Sequence, residues 1–565
     1  MPLQTKKPIK TNGSKEKCER TCDNQKFYSV SFPPKPPHPH HQLTTMATRF
    51  LGVILLAILF YATRIILFRK KAPGPLPPGP VGKPIVGNIS DLPSPGTQDW
   101  MHWLKHKDQY GPISSITVMG QTIVIINSSR IATELLGKRS ALHSSRPNLV
   151  FASEMVGWEH ILAMQTYSDR FRAYRKAMQP YLGHEAAVSQ YNSLQETETH
   201  RFLLRVLKDP SKLSQHISTE AGAIILKIAY GYTIEPHKVD PLVHMAGLAL
   251  EHFAIAGSPG AWLVDIIPSL KYVPSWFPGA SFKRLAMAWK KNLENTADIP
   301  YDFVQESMKA GNFKSSYLSN LFKVEGYPTA GSEEEIVAKW TAASLYTGGA
   351  DTVCNLKNTG RRKAQEEMDR VLGPGQLPKI ADRERLPYIE AVVKEALRWH
   401  PVAPMGIPHM SVEDDMYEGF HIPKGSLIMT NIWALTHDPE VYHDPMEFKP
   451  ERFLGVDGRE LEMDPRAAVF GFGRRVCPGR FLADNTVFLS VAQSLAVFNI
   501  TRGTESGTEV EVKPEFQPGV ISHPVPWKYE IGPRSPLHEA MVMSVEEQHP
   551  WEESDAHNLN MRQGS

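Results

Sequence analysis

Apolar residues concentrate in one long run near the start of the chain, from Phe50 to Phe68. Its nineteen residues nearly span the roughly 30 Å hydrocarbon core of a bilayer as a helix that rises about 1.5 Å per residue. Basic residues follow at 69–71 instead of a small-residue cleavage site, which favours a retained anchor over a cleaved signal peptide. The pattern predicts a transmembrane anchor over residues 47–71. The proline-rich residues 72–80 then predict a stiff polyproline II strut and a boundary.

Beyond the strut, the spacing of apolar positions predicts one large domain. Residues 113–119 and 122–126 alternate between polar and apolar, which predicts a β-hairpin with Gly120 at its turn. Residues 131–398 mostly repeat with the helical period. Because no internal repeat or second linker interrupts the chain, residues 81–533 are expected to form a single domain that is mainly α with a small β region.

The two ends of the chain are predicted to be disordered. Residues 1–46 hold eight Lys or Arg against three acidic residues and few aliphatic ones, too little apolar surface to offset the entropy of ordering. Met46 is a second possible start of translation, so the alternative that residues 1–45 are not translated stays open. Residues 534–565 are acidic and are predicted to be a solvated, disordered tail.

Composition excludes several classes of protein. The chain has 565 residues, of which 41% are hydrophobic, and a net charge of +2. This content excludes global disorder, and the near-zero charge argues against a nucleic-acid partner held by bulk charge. Four cysteines in such a length also exclude a disulfide scaffold; they are Cys18, Cys22, Cys354 and Cys477.

The strongest chemical signal is the segment FGFGRRVCPG, which begins at Phe470. Cys477 precedes a proline and a helical pattern, so it is expected near a helix cap, where the positive helix end stabilises a thiolate. Gly473 and Gly479 let the backbone approach a flat ligand closely, and Arg475 can pair with a carboxylate on that ligand. A thiolate on such a loop suits a soft metal centre. The alternative, an inert core cysteine, does not explain why five residues that suit such a site occur together at these spacings: Phe470, Gly473, Arg475, Cys477 and Gly479.

A second pattern is the Glu-x-x-Arg pair of Glu395 and Arg398, which can interlock with Arg452 of the segment FKPERF. In isolation such a pair would be a weak interaction on a solvated helix. Together with the cysteine segment, in this order, it resembles the cytochrome P-450 superfamily, whose haem-binding loop reads F-x-x-G-x-R-x-C-x-G. The resemblance covers about residues 47–530 and includes the strut of microsomal members. It implies the family's fold and a haem whose iron is axially bound by Cys477.

The resemblance also implies residues for oxygen chemistry and for the haem propionates. The segment GGADT, which ends at Thr352, resembles the central-helix motif of the family. Thr352 would donate a hydrogen bond to dioxygen, and Asp351 would relay protons from water. The family's W-x-x-x-R pattern appears as Phe171 and Arg175, which implies a propionate contact for Arg175 although Phe has no indole N–H. His409 lies at a second position that resembles a propionate contact.

One segment departs from the family's pattern. After Thr352 the chain continues VCNLKNTGRRKAQEEMD, where the family has an apolar stretch of the central helix about ten residues longer. Two explanations stay open. Either the gene model has lost part of an exon, or this is a splice variant with a damaged oxygen site.

The resemblance implies a haem-thiolate monooxygenase. It would insert one oxygen atom from O2 into a hydrophobic small molecule, a secondary metabolite or a xenobiotic as in similar fungal members. The electrons would come from an NADPH–cytochrome reductase, because no nucleotide-binding glycine motif is found in a strand–helix context. The anchor predicts an endoplasmic reticulum membrane with a cytoplasmic catalytic domain. A haem-thiolate isomerase and a non-catalytic haem-binding pseudoenzyme remain as alternatives.

Overall fold

The computed structural model describes residues 72–561 apart from residues 95, 259, 350–359, 456, 457, 459, 506, 507 and 510–514, and it also describes Phe60. From Pro73 onward the chain forms one compact unit. The predicted anchor (except Phe60) and the predicted tail over residues 1–46 lie outside the described residues. Among the described helices, none combines the length and the apolar character that a membrane span requires.

Helices make up most of the described chain, in agreement with the prediction of a mainly α domain. The helices of at least eight residues are α1 (Asp99–Tyr110), α2 (Asp169–Leu182), α3 (Asn192–Lys208), α4 (Leu213–Tyr230), α5 (Pro241–Ala256), α6 (Ser281–Ala310), α7 (Tyr317–Glu325), α8 (Glu333–Gly349), α9 (Arg361–Val371), α10 (Pro387–Trp399), α11 (Arg480–Val497) and α12 (Pro536–Met543).

Shorter helical segments, of α, 3-10 or π type, lie in the connections between these helices. They are Ile89–Asp91, Ser129–Ala132, Thr133–Lys138, Ser140–His143, Val150–Met155, Trp158–His160, Glu185–Val188, Ser189–Tyr191, Pro210–Lys212, Leu263–Ile266, Pro268–Tyr272, Ile380–Arg385, Ile432–Thr436, Pro450–Phe453, Arg466–Val469, Gly473–Arg475, Val545–Gln548 and Ala556–Asn558.

The β structure is small, and the predicted hairpin is its largest part. A four-stranded sheet has the order β1-β2-β6-β3, in which β1 and β2 are antiparallel with Ile113 opposite Ile126, and β2 and β6 are parallel. Three two-stranded sheets pair β4 with β5, β7 with β10, and β8 with β9. The strands are β1 (Ile113–Val118), β2 (Gln121–Ile126), β3 (His409–Met410), β4 (Asp415–Tyr417), β5 (Phe420–Ile422), β6 (Leu427–Thr430), β7 (Phe498–Arg502), β8 (Thr504–Glu505), β9 (Thr508–Glu509) and β10 (Tyr529–Pro533).

Helices α10 and α11 pack against each other and against α3 and α9 in a buried apolar cluster. Proline is favourable as the first residue of a helix, and α10 begins at Pro387. The Glu367 carboxylate of α9 accepts the backbone N–H groups of Tyr388 (2.9 Å) and Ile389 (3.0 Å), so α9 satisfies two of the donors that a helix start leaves free. This packing holds α11 from Val487 onward, and the cysteine segment joins the start of the same helix.

The predicted strut over residues 72–80 is hydrogen-bonded to the sheets. The Ser115 backbone N–H of β1 donates to the Pro78 carbonyl (2.8 Å), and its hydroxyl donates to the Pro77 carbonyl (2.6 Å). The His421 N–H of β5 donates to the Pro75 carbonyl (2.7 Å). Proline lacks an N–H but keeps its carbonyl, so a proline-rich segment can accept hydrogen bonds from a neighbouring strand.

The prediction of a disordered tail over residues 534–565 is wrong for its described part. Residues 536–548 form helix α12 and the turn after it, with Val542 and Val545 buried. Acidic side chains of this part reach basic residues of the domain, as in the pair between Glu546 and Lys208 of α3 (2.6 Å). From composition alone such charges are expected to be solvated. Here they pair with basic residues on helices that lie more than three hundred residues earlier in the chain.

Candidate functional site

The cysteine segment forms a tight loop that ends at the start of α11. The Cys477 N–H donates to the Phe470 carbonyl (2.8 Å), which closes the loop. Gly471 and Gly473 both have positive φ, at 79° and 53°. Helix α11 begins at Arg480 with Gly479 as its N-cap, so the proline after Cys477 precedes the helix and does not occupy its first position as predicted. Cys477 is nevertheless held close to the positive end of this helix.

The Cys477 thiol is the one thiol within the described part of the chain. Burial raises its pKa, while the Gly479 backbone N–H and the charges of Arg175 and Arg480 lower it. Burial is the largest of these effects, so the protein alone favours the protonated thiol. A metal cation at the sulfur displaces that proton, because thiolates are the form in which cysteine binds metals. The donor therefore fits an iron that binds a single sulfur.

Gly473 has a conformation and surroundings that exclude a side chain. A Cβ atom there would lie 2.3 Å from the Leu136 carbonyl oxygen and 2.9 Å from the Ser140 Cβ. The glycine thus allows the loop to pack directly on the helical turns between residues 133 and 143. At Gly479, by contrast, a Cβ atom would meet no heavy atom within 4 Å, which leaves that side of the loop open to a flat ligand.

We expect Gly473→Ala to destabilise the loop by at least about 2 kcal/mol, because it combines a positive φ with a backbone clash. The matched control is Gly247→Ala in α5, where a Cβ atom meets nothing within 4 Å; we expect it to be neutral or to stabilise by up to about 1 kcal/mol. Urea unfolding midpoints of the two variants measure the difference. Equal midpoints would contradict the role of Gly473.

Four basic side chains, which we call the basic cluster, lie together beside the loop: Arg146, Arg175, His409 and Arg475. Arg475 donates to the carbonyls of Ser144 (2.6 Å) and Gln165 (2.7 Å). Arg146 donates to the carbonyls of Ala163 (2.8 Å), Ile407 and Pro408 (2.9 Å). Arg175 donates to the carbonyl of Val476 (2.8 Å), and His409 Nδ1 donates to the carbonyl of His143 (2.7 Å). Each side chain is therefore fixed in place by the backbone.

The basic cluster has no acidic partner among the described residues: none of the four side chains forms an ion pair with a carboxylate there. Burial and the neighbouring Arg175 charge lower the pKa of Arg475 to about 9. Burial, with Arg475, also lowers the pKa of Arg146, and burial, with Arg146, lowers that of His409. The charges of the three arginines are costly to bury without counter-charges, and carboxylates of a ligand remove that cost. The residues present thus fit a haem, whose two propionates would meet the cluster while its iron meets Cys477.

Phe171, which replaces the tryptophan of the family pattern, supports this cluster by stacking. Its ring lies 3.9 Å from the central carbon of the Arg475 guanidinium group, a cation–π contact. The ring is buried and carries no hydrogen-bond donor. In this chain Phe171 therefore holds Arg475 in place by stacking, while the arginines of the basic cluster form the hydrogen bonds.

Arg146 belongs to the site although the sequence analysis did not single it out. It lies in the polar segment SSRPN, just before the apolar residues 149–152. An arginine is buried only when something compensates its charge, but the sequence alone gives no sign that this arginine is buried. Its contacts to residues 407 and 408, far along the chain, are not encoded in local spacing.

We expect Arg146→Leu to weaken haem binding by about tenfold to a hundredfold, because hydrogen bonds to charged groups contribute roughly 1.5–3 kcal/mol. The rate at which the holoprotein loses haem to apomyoglobin measures the effect. The control is Arg130→Leu, which removes an exposed arginine paired with Glu418. Equal rates of haem loss in the two variants would contradict the assignment of Arg146.

The structure brings the three residues of the second motif together in the core. Arg398 donates to both carboxylate oxygens of Glu395 (2.7 and 2.8 Å), and Arg452 Nε lies 3.2 Å from the same carboxylate. All three side chains are almost completely buried. Arg398 also donates to the carbonyls of Thr436, Pro445 and Glu447. The network joins α10 to the irregular segment that precedes the cysteine loop.

The predicted oxygen residues Asp351 and Thr352, and the shortened segment with Cys354, lie outside the described residues. Helix α8 ends at Gly349, just before them. Gly349 packs tightly on α4, since a Cβ atom there would lie 2.9 Å from an Ile225 side-chain carbon.

Comparison with known proteins gives consistent matches over nearly the whole chain. The sequence model of the cytochrome P450 family matches residues 77–531. The chain is 47% identical over 521 residues to cytochrome P450 monooxygenase ppsD of Aspergillus oryzae, with 90% of this chain and 98% of that protein covered. It is 46% identical over 528 residues to cytochrome P450 monooxygenase claR of Ampulloclitocybe clavipes, with 92% and 96% covered. O-methylsterigmatocystin oxidoreductase of Aspergillus flavus is 42% identical over 505 residues, with 88% and 94% covered.

Proposed function

The chain belongs to the cytochrome P450 family, and from that premise we propose that it is a membrane-anchored haem-thiolate monooxygenase of fungal secondary metabolism. It inserts one oxygen atom of O2 into a hydrophobic small molecule and reduces the other atom to water. The two electrons come from NADPH through a reductase, so each hydroxylation consumes one O2, one NADPH and one proton. The observation that carries the proposal is the Cys477 thiol on a loop beside a buried basic cluster that has no acidic partner within the part of the chain that the structure describes.

Each part of the site has a task in this reaction. The haem, when bound through the Cys477 sulfur, supplies the activation of O2. The basic cluster would hold the two carboxylates of the ligand and fix its orientation. By resemblance, the Thr352 hydroxyl would donate a hydrogen bond to dioxygen and the Asp351 carboxylate would relay protons from water. The Glu395 network holds the segment before the loop, so that the Cys477 sulfur stays at a fixed position.

A basic surface beside the loop supports the reductase as electron donor. Arg474 and Arg172 are exposed, and their guanidinium groups both lie over the Tyr167 ring, at 5.1 and 5.5 Å from its centroid. Arg172 is paired with the exposed Asp169, so Arg474 contributes more of the positive charge. Lys176 of α2 is also exposed. Such a surface steers an acidic partner toward the cysteine side of the domain. Arg480, by contrast, is half-buried and donates to the Cys477 carbonyl (3.5 Å).

Turnover with and without the reductase tests this function. We expect substrate-dependent O2 uptake and NADPH oxidation only when a reductase is present, with product that gains one oxygen atom. Arg474→Glu should raise the KM for the reductase about tenfold and leave peroxide-supported turnover unchanged, whereas Arg362→Glu, at an exposed arginine of α9, should change neither. Haem binding with no NADPH-dependent oxygen uptake would contradict the proposal and favour the pseudoenzyme, and product formation without O2 would favour the isomerase.

The membrane anchor and the endoplasmic reticulum are part of the same proposal. They rest on the apolar run before residue 69 and on the basic residues 69–71, which favour a cytoplasmic domain by the positive-inside rule. We expect the full chain to stay with microsomes after a carbonate wash, and a chain that begins at residue 72 to be released. Release of both forms would contradict the anchor.

A further inference from the structure

The segment after Ser535 covers a small polar cavity on the surface of α3 and α4. The Trp551 ring lies over the guanidinium groups of Arg201 and Arg205, 5.1 Å from each. The Glu552 carboxylate forms an ion pair with Lys227 of α4 (2.6 Å). Together with Glu198 and with residues of α4 and of the segment that follows it, these five residues line a cavity of about 20 Å³.

The positive charges at this cavity exceed the negative ones that neutralise them. Arg201 pairs with Glu198 at 2.5 Å, and Lys227 pairs with Glu552. Arg205 forms no ion pair with a carboxylate among the described residues. Its three guanidinium nitrogens are all buried, and none has a hydrogen-bond partner among the described residues. The Trp551 face attracts the charge of Arg205 but accepts no hydrogen bond in the guanidinium plane, so the N–H groups remain unsatisfied.

Glu220 of α4 is close enough to influence Arg205 but does not neutralise it. Its carboxyl group accepts hydrogen bonds from the hydroxyls of Thr199 (2.7 Å) and Ser490 (3.1 Å) and not from Arg205. Burial raises the pKa of Glu220 to about 8, so most of it is protonated at neutral pH. Glu198 also attracts the charge of Arg205, but it is paired with Arg201, so this one carboxylate serves two guanidinium groups.

We propose that this cavity binds one monatomic anion, chloride under cellular conditions, with Arg205 as its main ligand. A water molecule needs roughly 10–15 Å³ on the same scale of volume, so the cavity has room for about one small ion. The anion would satisfy the buried N–H groups of Arg205 and offset its charge. It would thereby fasten the segment that carries Trp551 and Glu552 onto α3.

Crystals of the detergent-solubilised full chain grown in bromide test the site directly. We expect an anomalous peak within hydrogen-bonding distance of the Arg205 guanidinium group. Water molecules at that position without anomalous signal would overturn the proposal, because they would show that solvent alone satisfies Arg205.

Thermal unfolding provides an independent test in solution. Chloride replaces gluconate at constant ionic strength, and we expect a saturable rise of the midpoint, about 2–4 °C at about a hundred times the dissociation constant. Arg205→Gln should abolish this rise, and the control Arg362→Gln should keep it. A rise that never saturates, or one that is equal in both variants, would overturn the proposal. The bromide crystal decides the question even if Arg205→Gln does not fold.

Discussion

Arg398→Ala is expected to yield no folded haem protein under conditions in which the unchanged chain folds. Removal of one partner from a buried ion pair costs about 3–5 kcal/mol. Here Glu395 loses both hydrogen bonds from Arg398 and keeps only Arg452, whose Nε lies 3.2 Å away, as a cationic partner. The loss also leaves the carbonyls of Thr436 and Pro445 without the Arg398 donor, while the Glu447 carbonyl keeps a hydrogen bond from Arg452. The free energy of unfolding of a protein is typically only about 5–15 kcal/mol, so this single change removes a large share of it.

The yield of soluble holoprotein and the urea midpoint of any folded fraction measure this effect. Arg398→Lys should recover little, because an ammonium group cannot replace the bidentate contact to Glu395 and the three carbonyl contacts together. The control is Arg362→Ala, which removes an arginine of α9 from an exposed pair with Glu366; such pairs contribute roughly 0–1 kcal/mol. A wild-type midpoint for Arg398→Ala would refute the structural role of the network.

Cys477→Ser is expected to abolish NADPH-dependent product formation while the protein still folds and binds some haem. A serine hydroxyl does not ionise near neutral pH and cannot supply the thiolate that favours O–O cleavage. The basic cluster is unchanged in this variant, so the carboxylates of the haem keep their partners. We therefore expect a lower haem content but not the loss of the fold.

Product formation per haem, with saturating reductase, measures the consequence of this change. Cys22→Ser, in the N-terminal region to which no function is assigned, serves as the control and should leave the rate unchanged. Retention of more than about one per cent of the wild-type rate, a difference of less than roughly 3 kcal/mol in activation free energy, would contradict the assignment of Cys477.

The features that the sequence predicted depend on short spacings. The loop from Phe470 to Gly479 and the pair of Glu395 and Arg398 each lie within ten residues, so their geometry follows from local chain geometry and helix periodicity. The hairpin of β1 and β2 was predictable for the same reason, since alternation and a glycine turn are local signals.

What escaped prediction depends on contacts between distant parts of the chain. Arg146 acquires its role only when residues 407 and 408 accept its hydrogen bonds. The acidic C-terminal segment is ordered because Val542 and Val545 are buried and because Lys208 and Lys227 lie opposite its carboxylates. A single sequence does not record which distant residues meet. The proline lies before α11 and not at its first position, a shift of the helix boundary by two residues, which local signals rarely fix.

The central claim is that Cys477 holds the haem iron of this chain as a thiolate. The most direct measurement is the carbon monoxide difference spectrum of the dithionite-reduced full chain, recorded beside Cys477→Ser. Our account predicts a strongly red-shifted Soret band in the unchanged chain that is lost in the variant. Absence of a thiolate-type band from the unchanged chain, or its persistence in Cys477→Ser, would contradict the account.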